Sequence, residues 1–161
     1  AERGHTEVVA ALLDHPEIKV NTENEYGDTA LMMAAERGHT DVVAALLDHP
    51  EIKVNTANEY GATALMWAAC YGHPEVVAAL LKKNDININA KDNDGNTALM
   101  KAVELERPDV VAALLARGDT SLNIKKENGE KVVRSSIFFH NNALELVKQA
   151  ELSRYTACGI Q

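Results

Sequence analysis

The stretch GATALMWAACYGHPEVVAALLKKNDININAKDND, residues 61–94, decides how the chain is read, because shifted by its own 34 residues it meets itself again at 27–60 and 95–128. The shared frame is Gly, then Thr-Ala-Leu-Met, a small pair, Val-Val-Ala-Ala-Leu-Leu, and an Asn near the end. A single period of this kind predicts a stack of like supersecondary units. Residues 1–26 align on 35–60 with two differences, Glu7 against Asp41 and Glu23 against Ala57, so Ala1 falls where Ala35 falls. The first unit begins at its midpoint, and the chain is expected to be a piece of a longer protein.

Within a unit the physics is local. Gly61 opens a turn, and Thr63, like Thr29 and Thr97, is placed to cap the first free backbone donors of a short inner helix. Leu65, Ala68 and Ala69 give that helix one apolar face whose small residues admit a close neighbour. Gly72, like Gly38 and Gly4, stands where a left-handed residue stops it. Pro74 and Pro108, or Thr40 in the second unit, then start an outer helix, with an acid behind them at the positive end of the dipole. Val76, Val77, Leu80 and Leu81 bury this helix along one side. Helices of about eight to ten residues fall below the roughly 12 to 15 that are marginal alone, so stacking must supply the stability. The stretch 83–94, with Ile86 and Ile88 alternating and a turn at Asp94-Gly95, reads as an extended finger.

Composition narrows the class. A chain of 161 residues, 46% hydrophobic with four prolines, suits one domain and shows no sign of disorder. A formal charge of -8 argues against a nucleic-acid backbone as partner, since that contact needs clustered Lys and Arg. The longest apolar run, from Ala64 to Tyr71, is far below the roughly 18 to 20 residues that span a bilayer, so no membrane segment is expected. Cys70 and Cys158 are the only thiols and no Asn-x-Ser/Thr sequon occurs, which favours a reducing, cytoplasmic location.

Catalysis is not expected. Cys70 and His73 lie three apart, but His73 belongs to a recurring Gly-His pair and no third residue recurs to orient it. His5, His39 and His73 recur at the repeat period, which places them roughly 8 to 10 Å apart, too far for one zinc to gather. The Asp-His-Pro-Glu runs at 14–17 and 48–51 give way to Lys82-Lys83-Asn84-Asp85 in the third unit, so they read as solvated loops. No phosphate-binding glycine loop, nucleophile elbow or His-Glu-x-x-His run is present, and no cofactor or metal is implied.

The units resemble ankyrin repeats. Gly61, Thr63, Leu65, Ala68, Ala69, Gly72, His73, Val77, Leu80, Leu81 and Asn89 meet that family's pattern, and the match extends over residues 1–128. Two departures recur: Ala30, Ala64 and Ala98 replace the family proline, and Met32, Met66 and Met100 replace the family histidine. The second bears on the histidine hydrogen-bond network usual between the family's hairpins. The units are also one residue longer than the usual length of about 33, with the extra residue near Pro16-Glu17-Ile18-Lys19 and its copies, where a small bulge would absorb it. The resemblance implies an all-α repeat solenoid of helix-turn-helix units with projecting β-hairpin-like fingers. A partial repeat at 1–26 is followed by full repeats at 27–60, 61–94 and 95–128. Residues 129–161 are read as a degenerate capping repeat, with Phe138 and Phe139 sealing the last interface and a helix carrying Leu144, Val147 and Leu152.

The resemblance also implies a concave groove formed by fingers and inner helices, where a partner protein binds. The positions that vary between units there are Tyr26 and Asp28; Met33, Glu36 and Arg37; Tyr60 and Ala62; Trp67, Cys70 and Tyr71; Asp94 and Asn96; Lys101, Glu104 and Leu105. Trp67 can equally pack between inner helices, and Tyr26 and Tyr60 can brace their own hairpins. Charge on the first three fingers sums to -5: three from Glu23, Glu25 and Asp28, one from Glu59, one net from Lys91, Asp92 and Asp94. Lys125, Lys126, Glu127 and Glu130 cancel at the fourth, so a basic or mixed-charge partner segment is favoured. The alternative is a structural spacer of a larger protein whose activity lies elsewhere. With half a repeat missing, Val8, Val9, Leu12 and Leu13 are expected to leave an apolar end through which copies associate.

Overall fold

The computed structural model describes residues 1–121 and 142–157, the side chains of 142–145 and 155–157 excepted. Eight α-helices occur among the described residues, in two layers that alternate from α1 to α7. The outer layer holds α1 (Thr6–Leu13), α3 (Thr40–Asp48), α5 (Pro74–Leu81), α7 (Pro108–Ala116) and α8 (Asn142–Ala157), and the inner layer holds α2 (Ala30–Arg37), α4 (Ala64–Tyr71) and α6 (Ala98–Glu104). Each inner helix packs on the inner helices of adjoining units and on its own outer helix. Outer helices begin at 6, 40, 74, 108 and 142, so the 34-residue step persists into α8 although the sequence pattern has lapsed.

The helix ends form as their residues dictate. Thr29, Thr63 and Thr97 accept hydrogen bonds from the backbone N–H of Met32, Met66 and Met100. In the fourth unit the Met100 sulfur accepts the Thr97 N–H in return at 3.3 Å, closing a reciprocal cap. Gly38 and Gly72 end their helices with φ of 74° and 78°. Glu106 holds the same position with φ 53°, the one positive-φ residue other than glycine among the described residues. Leu31, Leu65 and Leu99 of the inner layer and Val42, Val76 and Val110 of the outer are buried. At the first unit the outer face is open: Val8 and Leu12 are 58% and 54% exposed, against 0% and 2% for their counterparts Val42 and Leu46. Val9 is buried and Leu13 half-buried, so two of the four expected residues make the bare face.

The fingers are not ladders. One isolated bridge, Glu23 with Thr29, is the extent of β pairing among the described residues. The N–H groups that a hairpin would pair are taken instead by a side chain: Asn24 Oδ1 accepts from Tyr26 and Asp28, Asn58 Oδ1 from Tyr60 and Ala62, and Asp92 Oδ1 from Asp94 and Asn96. Ile86 and Ile88 still point into the core. At the loop that carries the extra residue, the Ile18 and Ile52 N–H groups bond the His15 and His49 carbonyls. The Nδ1 atoms of the same histidines accept from Glu17 and Glu51, so a tight turn takes up the insertion.

Two sets of bonds lock unit to unit. Asn21 receives the Lys53 N–H and donates to the Glu51 carbonyl, and Asn55 and Asn89 do the same to Asn87 and Asp85, and to Ser121 and Asp119. Nε2 of His39 and of His73 meets the carbonyl of Glu2 and of Glu36 at 2.8 and 3.0 Å, which places the ring proton on that nitrogen. Arg107 Nε takes over that duty in the next unit, donating to the Cys70 carbonyl. The inter-unit bridge therefore persists through the Gly-His histidines although methionine fills the family's other histidine position. Lys83 and Arg117 cap the carbonyl ends of the preceding outer helices at Leu47 and Leu81.

In α8 Val147 is buried and Leu146 packs against the core, while Leu152 is exposed, contrary to its expected place in the cap. The inward face runs through Val147, Ala150, Glu151 and Arg154, and Arg154 donates to the Thr120 carbonyl. Leu152 lies five residues beyond Val147, about 140° around the helix and so on the opposite face. Phe138, Phe139 and the side chain of Leu144 lie outside the described residues.

Candidate binding groove

The fingers stand side by side because each is bonded to the next. Glu59 N–H donates to the Tyr26 carbonyl and Asn93 N–H to the Tyr60 carbonyl. Asn58 Nδ2 donates to the Asp28 carboxylate at 2.7 Å, and Asn93 Nδ2 to the Glu59 carbonyl at 2.8 Å. Asp28, read as a groove contact, thus also spends its carboxylate on the neighbouring finger. Tyr26 and Tyr60 project from the tips, half or more exposed.

On the inner helices, Met33, Glu36, Trp67, Cys70, Lys101 and Glu104 are half-buried and Arg37, Tyr71 and Leu105 exposed. Arg37 pairs with Glu2 at 3.0 Å on the surface, where such a pair adds little. The Trp67 and Tyr71 rings lie 6.0 Å apart and tilted, a favourable aromatic contact that presents both to the same side. Partial burial, followed by the facing Glu36 carboxylate, pushes the Tyr71 phenol above its ordinary range.

On this face the central unit holds a cavity of about 240 Å³ between the second and third fingers. It brings together Tyr60, Ala62, Trp67, Cys70, Asp94 and Lys101 from the expected set. Ala62 and Asn96 are buried, at 7% and 5% exposure, so Ala62 contributes wall and Asn96 supports the turn. Two lining residues escaped the sequence reading, Met66 and Asp92. Asp92 bonds Lys101 at 2.6 Å with little of either side chain exposed. Burial would raise its carboxyl, but the hydrogen bonds from Lys101 and from the Asn96 backbone prevail and hold it below the usual carboxylate range. The signal for Asp92 was its place at the period of Asn24 and Asn58, the finger-closing residues.

Cys70 is half-buried on this face. Burial pushes its thiol up, Lys101 opposes, and the Asp92 and Glu104 carboxylates add to the rise. His73, its sequence neighbour, is engaged at Nε2 by the Glu36 carbonyl. No helix among the described residues is long and apolar enough to cross a membrane. Residues 1–58 and 50–128 match a family model described as ankyrin repeats in three copies. No curated protein matches the chain.

Proposed function

The chain belongs to the ankyrin-repeat family, whose repeats are generally protein-protein interaction modules, and from that premise we propose that it holds a partner protein in the groove of fingers and inner helices. The observation that carries this reading is the pair of half-buried Trp67 and exposed Tyr71 at the cavity of the central unit. Aromatic side chains of this kind anchor interfaces, while the large apolar side chains of the outer helices α3 and α5 are Val and Leu already used in packing. Acid on the fingers favours a basic or mixed-charge segment of the partner. Capture of a partner by the immobilised chain should therefore weaken as salt rises from about 0.05 to 0.5 M, where the Debye length shrinks severalfold. Salt-independent capture removes the electrostatic part of the reading.

Two further surfaces follow from the stack. The bonds that lock unit to unit also suit a spacer, and a folded chain that captures nothing specifically favours that role. The bare Val8 and Leu12 face supports end-to-end self-association at high concentration. Light scattering should show mass rising with concentration, and Leu12→Lys should abolish the rise with an unchanged melt because this side chain is half-exposed already. A strict monomer at millimolar wild type counts against it.

A further inference from the structure

We infer that the cavity between the second and third fingers selects one basic side chain of the bound segment, an arginine in preference to a lysine; this rests on the groove reading above. The cavity holds two aromatic rings, Tyr60 at its rim and Trp67 in its wall, together with the carboxylates of Asp92 and Asp94 and the ammonium of Lys101. Two negative charges and one positive leave a net of -1. Which carboxylate supplies it is settled by the bonding. Asp92 is committed to Lys101 and to the Asn96 and Asp94 backbone. Asp94 is exposed, and its carboxylate makes no hydrogen bond or ion pair among the described residues.

A free carboxylate beside an indole and a phenol is a set of groups that recognises an organic cation. The aromatic faces attract it through their quadrupoles, best at Trp, and the carboxylate supplies the opposite charge. An apolar anchor would leave Asp94 facing it uncompensated, and an acidic one would be repelled. A guanidinium fits better than an ammonium, because it stacks flat on an aromatic face and offers a carboxylate two parallel N–H groups. The combination is particular to this unit. The residue aligned with Trp67 is Met33 in the unit before and Lys101 in the unit after, so neither neighbouring unit supplies the indole.

The test is selection of phage-displayed random 12-residue peptides on the full chain, followed by calorimetric titration of synthetic copies, a readout that survives the loss of Trp67, the single tryptophan. The enriched peptides should share an arginine at one alignable position, and lysine in its place should bind several-fold more weakly; a shared lysine that binds as well as arginine overturns the preference. Asp94→Asn should lower their affinity at least tenfold, and so should citrulline in place of that arginine. The two changes together should lose little more than either alone, since they remove the same contact. Melting curves of Asp94→Asn should match the wild type. Peptides that bind and are weakened by Tyr71→Ala, yet lack a shared basic residue or ignore Asp94→Asn, overturn the cation pocket and leave the groove standing. Peptides indifferent to Tyr71→Ala and Trp67→Ala, or no enrichment at all, count against the groove itself and the pocket with it.

Discussion

Trp67→Ala is expected to weaken partner capture by roughly 30-fold or more, about 2 kcal/mol, and Tyr71→Ala by a similar factor. Most interface residues contribute little, and the few that dominate are Trp, Tyr and Arg near the centre of the contact. In this chain that description selects one pair, on α4 of the central full repeat, with Met33 on one side and Lys101 and Leu105 on the other. Tyr71 is exposed, so its loss should leave the melt where it was. Trp67 also packs against the core, so its alanine variant should lose some stability, and Trp67→Phe separates the two effects by keeping a ring at the wall. Lys82→Ala, on the exposed end of α5, should change capture little. If Lys82→Ala abolishes capture and the α4 variants do not, the partner sits on the convex side.

What could be read from residues alone was whatever forms within a turn or two of the chain. The Thr63 cap, the Gly72 stop and the Pro74 start each depend on neighbours three or four residues away, and each stands as the pattern implies. Bonds whose partner is a backbone group in the next unit left a weaker trace. Asn55 was visible as a recurring residue, but its grip on Asp85 and Asn87 needs the units already stacked. The alternation of Ile86 and Ile88 reads as an extended finger, and the resemblance implied a hairpin-like one. The same alternation fits a loop closed by a side-chain oxygen, and the Asp92 carboxylate closes it.

The groove divides in the same way. Variation at 60, 67, 70, 94 and 101 picked out residues that do share one cavity. Burial of Asn96 and the engagement of Asp28 with Asn58 were not legible, because an acid or amide at a turn reads alike whether it faces solvent or a neighbouring finger. The C-terminal helix shows a further limit. Its start keeps the period, but its inward face follows Val147 rather than the Val-Val and Leu-Leu spacing, and Leu152 is left outside.

Gly38→Ala should cost roughly 2 to 3 kcal/mol, seen as a lower denaturant midpoint. Two causes add. With φ at 74°, any side chain pays about 1 kcal/mol for the left-handed backbone. A Cβ there would also lie 2.6 Å from Cε1 and Nδ1 of His73, whose ring is rigid and held at the Glu36 carbonyl. The ring must move, and the hydrogen bond that ties the units, worth about 1 kcal/mol, goes with it. Gly72→Ala meets Arg107 Cδ at 2.8 Å instead; this flexible side chain can swing aside, and because its Nε bond to the Cys70 carbonyl is exposed, water replaces it, so the loss should stay nearer 1 kcal/mol. Glu106 already carries the left-handed penalty, and Glu106→Gly should raise the midpoint by about the same amount. Combining Gly38→Ala with His73→Ala tests the mechanism: the pair should cost less than the two changes summed, because the ring that obstructs the methyl is gone. Equal losses for Gly38→Ala and Gly72→Ala would show that backbone conformation alone sets the cost. The histidine would then be a bystander to the glycine beneath it.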